Sequence, residues 1–141
     1  MKQRFQARKD IIQGLYQYFM RQESQHELVH DENMDDYVRS CLQGIWETET
    51  ELNEIIVRYA HDEQVDELYA IDRAILLLGL YELQYRSDVP YKVVIDQGIR
   101  LAKCYGGDSS FKLVNAVLDQ AAKAARSAEI EMAKPKSEAG D

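Results

Sequence analysis

The sequence predicts an all-α fold, on three observations. Glycine and proline number only seven and two in 141 residues, too few to punctuate many tight hairpins. Apolar residues recur at three- and four-residue steps through most of the chain, the period of a helix with one buried face. No segment shows the strict alternation of a half-buried strand worth naming.

Taken in order, Phe5, Ile11, Ile12, Leu15, Tyr16, Tyr18 and Phe19 mark a first amphipathic helix. The pattern lapses over 22–33 (QESQHELVHDEN), which reads as a connecting loop. It resumes from Met34 to Glu47, with Tyr37, Val38, Cys41, Leu42, Ile45 and Trp46 on one side. Leu52, Ile55, Ile56 and Tyr59 continue it after a bend near Thr48–Thr50, threonine being a weak helix former and a good cap. A polar break at 61–67 precedes Leu68–Tyr85, which is apolar nearly all round and therefore predicted to be a buried central helix. Ser87-Asp88-Val89-Pro90 ends it, and Pro90 suits the first turn of the next helix. That helix has Val93, Val94, Ile99 and Leu101 as core residues and stops at Gly106-Gly107. Asp108, Ser109 and Ser110 are candidate caps for a last helix carrying Phe111, Leu113, Val114, Val117, Leu118 and Ala121. From about Ala128 the chain turns small and charged and is broken by Pro135. The prediction is one helical domain over 1–127 and a disordered charged tail over 128–141.

No run of apolar residues is long enough to span a bilayer. The opening MKQRFQARKD lacks the apolar stretch of a secretory signal, so a cytoplasmic location is expected. Cys41 and Cys104 form no CxxC pair and read as two buried thiols in a reducing compartment. The net charge of −8 conceals a segregation. Residues 1–22 hold five bases and one acid (+4), 23–72 two bases and fifteen acids (−13), 73–126 eight bases and five acids (+3). A basic surface is expected where the first helix meets the last, despite the acidic total.

Several segments carry a resemblance. Ile71-Asp72-Arg73-Ala74-Ile75-Leu76-Leu77-Leu78-Gly79-Leu80-Tyr81-Glu82-Leu83 is followed by Asp88-Val89-Pro90, Val93-Val94-Ile95, Leu101-Ala102-Lys103 and Gly106, and the chain closes on Val114-Asn115-Ala116-Val117-Leu118-Asp119. Upstream stand Ala7-Arg8, Gln13-Gly14-Leu15-Tyr16 and Leu42-Gln43-Gly44-Ile45. In order and spacing these resemble the NusB family of transcription antitermination factors over most of 4–122. Ile95-Asp96-Gln97-Gly98 departs from the family's Ile-Asn-Glu-Ala, Ala116 stands at the motif glycine and Leu113 at a usual phenylalanine. The N-terminal basic run is thinned by Phe5 and Gln6. The resemblance implies a NusB-like domain of two small packed helix bundles. It also implies binding to boxA RNA of nascent transcripts, ribosomal RNA leaders included, together with the ribosomal small-subunit protein NusE on the RNA polymerase antitermination complex. No cofactor, metal or enzymatic activity is implied.

Single-stranded RNA needs cations for its phosphates and flat side chains for its bases. Lys9, Gln13 and Tyr16 share one helical face, Gln13 suited to a base edge and Tyr16 to stacking. Arg4 and Arg8 lie on an adjacent stripe as candidate phosphate contacts, with Lys2 just upstream. Lys112 and Asn115, three apart at the start of the last helix, offer a further phosphate contact and an amide. Asp72 and Glu82 are candidates for a protein partner, because a charge on so apolar a helix must reach a surface or an ion partner. An internal salt bridge is the alternative for Glu82, and a favourable place at the helix start for Asp72.

Three rival readings remain. His26-Glu27-Leu28-Val29-His30 matches the HExxH of zinc hydrolases, with Glu54 or His61 as a third ligand, but lacks the apolar stripe of a buried active-site helix. A NusB-like part of a ribosomal RNA methyltransferase would need a catalytic domain for which no sequence remains after the last helix. A protein-interaction module without RNA binding is the third.

Overall fold

A computed structural model of the chain describes residues 3–21, 32–60 and 68–135. Among these it has α1 (Arg4–Arg21), α2 (Asp36–Glu47), α3 (Glu49–Tyr59), α4 (Ala70–Tyr85), α5 (Tyr91–Tyr105), α6 (Ser110–Ala125) and α7 (Ser127–Ala133), and no strand. The expected connecting loop lies almost wholly outside the described residues, as do the HExxH segment, Lys2, the polar break and the chain beyond residue 135.

The local chemistry sets the helix ends. The Asp35 carboxylate accepts from the Tyr37 and Val38 N–H groups, so α2 starts two residues later than Met34. The predicted bend is real: the Thr48 hydroxyl donates back to the Gly44 carbonyl at 2.7 Å, and α3 restarts at Glu49. Pro90 caps α5 from just outside its first turn. Ser109 stands at the α6 cap without a side-chain bond, while the Ser110 hydroxyl accepts from the Gly107 N–H at 2.9 Å.

The central helix α4 is buried at ten of its sixteen positions, which follows from its apolar circumference. α1, α2 and α3 pack against it on one side of the chain order, α5 and α6 on the other, and α5 and α6 pack on each other. The two bundles thus share α4. Two glycines let the helices of the second bundle close. Leu118, fully buried, lies between Gly79 and Gly98: a β-carbon at Gly98 would come within 2.6 Å of Leu118 Cδ1, and one at Gly79 within 2.9 Å of the same atom. The departure from the family's alanine at Gly98 is therefore a packing feature of this chain.

Three expectations need correction. The first helix, α1, and the expected last helix, α6, do not pack side by side; each packs on α4. Residues 127–133 are helical where a disordered tail from 128 was expected. The reason is Arg126, whose buried guanidinium donates to the carbonyls of Leu83 (2.8 Å), Glu82 (3.0 Å) and Arg86 (2.9 Å), satisfying the open C-terminus of α4. Its ion-pair partner Glu129 accepts from the Tyr91 N–H at 2.9 Å, in the first turn of α5. That backbone bond, reinforced by Arg126, holds the Glu129 carboxyl below its ordinary pKa. One ion pair thus fastens both sides of the α4–α5 turn. Finally, Cys41 is buried, and burial pushes its thiol up to about 12, but Cys104 is exposed.

Candidate nucleic-acid interface

Helix geometry puts Phe5, Lys9, Gln13 and Tyr16 along one stripe of α1, four and three residues apart, spanning about 16 Å. The last three of these line a groove of about 430 Å³ with Ile12 and Ile71 in its floor and Tyr105, from the end of α5, on its other bank. Tyr16 is 40% exposed and Tyr105 46%, so both rings present surface to a ligand. The groove is apolar at the base and polar at the rim, the arrangement that takes a flat base and leaves its phosphate outside.

α5 also supplies cations that the sequence reading passed over. Arg100 sits with its guanidinium 4.1 Å from the centre of the Phe5 ring, and the Lys9 ammonium lies 4.9 Å from the same ring. Neither cation has an acidic partner among the described residues. Lys103, one turn on, stands 5.3 Å over Phe111 at the start of α6. Lys112 and Asn115 are exposed on that same opening stretch of α6, outside the groove. α5 thus lies where the closing helix was expected, and Lys103 over Phe111 ties its basic edge to the start of α6. Arg100 and Lys103 went unnoticed because isolated cations on an amphipathic helix look like any solvated face. Tyr105, just before Gly106-Gly107, looked like a helix end.

Arg8 is the clearest correction. It is 3% exposed and cannot meet a phosphate at the surface. Its Nε donates to Glu82 Oε1 at 3.1 Å, its Nη2 to Oε2 at 3.0 Å, and its Nη1 reaches Gln97 at 3.5 Å. Glu82, 1% exposed, also accepts from a second residue, the Tyr37 hydroxyl. Burial and the adjoining carboxylate hold the Tyr37 phenol well above its ordinary pKa, so it stays a donor. Two buried charges survive here because each is hydrogen-bonded by the other and by neighbours. Glu82 therefore belongs to the interior, on the alternative already open for it, and offers nothing to a protein partner. Asp72 is likewise buried, at 5% exposure in the first turn of α4, where the helix dipole favours its charge.

Arg4 is exposed but points away from the groove, its guanidinium 3.6 Å from the centre of the Tyr37 ring. Arg86 approaches the same ring at 4.6 Å and chelates Asp88 through Nε and Nη2, which holds the Asp88 carboxyl below its ordinary pKa. A second hollow of about 450 Å³ opens there, bounded by Arg4, Phe5, Asp88, Pro90, Val93 and Gln97, among others. Among the described residues no group of three or more His, Cys, Asp or Glu side chains could hold a metal ion. No helix among them is long and apolar enough to cross a membrane.

The profile of the NusB family matches residues 5–123. The transcription antitermination protein NusB of Alcanivorax borkumensis is 38% identical over 94% of this chain and 93% of its own length; that of Azoarcus sp. is 37% identical over 98% and 94%. Among solved structures, T. maritima NusB superposes with a TM-score of 0.81 at 33% identity, covering 92% of this chain and 98% of that one. A chain from a crystal structure of antitermination factors NusB and NusE in complex with double-stranded RNA gives a TM-score of 0.72 at 27% identity, covering 87% and 99%.

Proposed function

Because this chain belongs to the NusB family, we propose that it is a transcription antitermination factor that binds boxA-type RNA of nascent transcripts, ribosomal RNA leaders included, and does so together with the ribosomal protein NusE on the RNA polymerase antitermination complex. The observation that carries the RNA half of this reading is the groove in which Lys9, Gln13 and Tyr16 of α1 face Tyr105 of α5. Exposed tyrosines above an apolar floor suit unpaired bases, which a duplex would keep stacked inside. The amide of Gln13 supplies hydrogen bonds to a base edge, and Lys9 a charge to the backbone. The work of such a site is binding and positioning; its side chains move no proton and break no bond.

The NusE half rests on the relative crystallised with NusE and RNA. Asp72 and Glu82, the residues first considered for that contact, are buried, so the partner must be met by other side chains.

The test is a fluorescence titration of the purified chain with a single-stranded boxA oligonucleotide, a scrambled strand and a boxA duplex, each with and without NusE. The expected order places boxA single strand first, with its affinity raised by NusE. Equal binding of boxA and scrambled RNA in both conditions would overturn the reading.

A further inference from the structure

The groove and the second hollow have no lining residue in common but adjoin where Lys9 of the first meets Phe5 of the second. Lys9 lines the groove and lies over one side of the Phe5 environment; Phe5 itself lines the second hollow, beside Arg4 and Gln97. Arg100 of α5, which lines neither, holds its guanidinium 4.1 Å from the centre of the Phe5 ring. The residues of α1 and α5 therefore form the two banks of one trough, running from Tyr16 and Tyr105 at one end, past Phe5, to Arg4, Val93 and Gln97 at the other.

The electrostatics at the midpoint call for an anion. Lys9 and Arg100 both approach one aromatic ring, and no described carboxylate pairs with either. Asp96, one turn before Arg100, is exposed and makes no ion pair with it among the described residues. Two like charges over one ring repel each other and are each only weakly offset by the ring's quadrupole. A phosphate drawn to this pair of cations offsets the repulsion, and the guanidinium fork can hold it through two hydrogen bonds. The floor also suits a nucleotide chain: Phe5, Pro90 and Val93 are apolar surfaces for sugar and base, while Arg4 offers a second phosphate contact at the far end. The acids at that end are already engaged, Asp88 by Arg86 and Glu82 by Arg8, so they do not repel an incoming strand as free charges would.

We propose that single-stranded RNA leaving the Tyr16–Tyr105 groove continues over Phe5 into the second hollow, with Arg100 clamping the phosphate at the crossing and Arg4 the one beyond it. This rests on the RNA reading above and extends its footprint to a side of α5 that neither the sequence nor the groove identified. Arg100 is then an affinity residue for the strand flanking the bases held in the groove.

The experiment measures affinity against salt for two single-stranded boxA oligonucleotides. One is short enough to fill the groove alone, and one is extended in both directions. The proteins are the full chain, Arg100→Gln, Arg4→Gln, and Lys123→Gln as a charge-matched control on α6, far along the chain and paired with Asp119. For the extended RNA, Arg100→Gln and Arg4→Gln should each flatten the slope of log K against log salt by about 0.7, the value for one single-strand phosphate contact. For the short RNA, Arg4→Gln should leave the slope unchanged, as Lys123→Gln should for both. Thermal unfolding of each variant, expected to match the full chain, confirms that folding is intact. If the full chain prefers boxA but its slope with the extended RNA survives both arginine substitutions, the trough is wrong and the groove stands. If the short and extended RNAs bind with equal slope to the full chain, the trough is again overturned. If the full chain shows no preference for boxA over its scrambled counterpart at either length, the RNA reading itself falls, and the trough with it.

Discussion

Replacing Arg8 with methionine separates what the sequence suggested from what the structure places there. On the sequence, Arg8 is a surface cation, and its loss should weaken RNA binding while leaving the fold alone. In the structure it is, among the described residues, the sole cation bonded to a carboxylate that is 1% exposed. Methionine fills much of the same volume but returns no hydrogen bond, leaving Glu82 with only the Tyr37 hydroxyl. Removing one member of a buried ion pair costs about 3–5 kcal/mol, because the other charge is left uncompensated. For a domain of this size that corresponds to a fall in Tm of about 10–20 °C. The second step of the cycle is diagnostic. Arg8→Met with Glu82→Met leaves no buried charge and should recover most of the loss. The remaining deficit is the Tyr37 hydroxyl without an acceptor, about 1–3 kcal/mol, and adding Tyr37→Phe should remove that as well. Thermal and urea unfolding followed by far-ultraviolet circular dichroism measure each step. If Arg8→Met unfolds within about 0.5 kcal/mol of the parent, as an ordinary surface substitution does, and instead lowers the RNA salt slope by about 0.7, the burial argument is refuted and Arg8 is a phosphate contact.

Tyr16→Ala should weaken boxA binding by about 1–3 kcal/mol with the salt slope nearly unchanged, since a stacking ring carries no charge; normal affinity in a titration would exclude a stacking role. Arg126→Met should destabilise the chain by about 2–4 kcal/mol in urea unfolding, because three carbonyls at the end of α4 lose a charged donor at once. Glu129→Gln tests the same fastening by pH. The carboxyl's pKa is lowered in the folded chain, so its contribution is present above the unfolded value near 4.5 and is lost as pH falls through the lower folded value. The parent's advantage over Glu129→Gln should therefore be constant above that pH and shrink below it; an advantage independent of pH would show that the ionised carboxylate is not what holds the turn. Gly98→Ala should lower stability even though alanine is the better helix former by about 1 kcal/mol, since its methyl meets a Leu118 wedged between two glycines and overpacking costs about 1–3 kcal/mol. A rise in Tm would show that Leu118 has room to move.

The sequence by itself determined α1 to α6 and most of the faces they bury, Val93, expected in the core and 39% exposed, being an exception. These follow from spacing along one segment: the bend at Thr48, the stop at Gly106, the buried circumference of α4, and the shared stripe of Lys9, Gln13 and Tyr16 are all local properties of backbone and side-chain chemistry. Tertiary structure alone decided which charges stay in water. Arg4 and Arg8 are one turn apart on the same helix, yet Arg4 stays exposed over the buried Tyr37 ring while Arg8 is sealed against Glu82, seventy-four positions away. Nothing in the spacing distinguishes them, because a cation's fate depends on which neighbouring face docks over it and whether that face brings an acid. The same holds for Arg100, which becomes part of a binding surface only because α5 comes to rest beside Phe5. It holds again for Arg126, at the edge of the expected tail, whose guanidinium becomes a fastening only because the carbonyls ending α4 come within its reach.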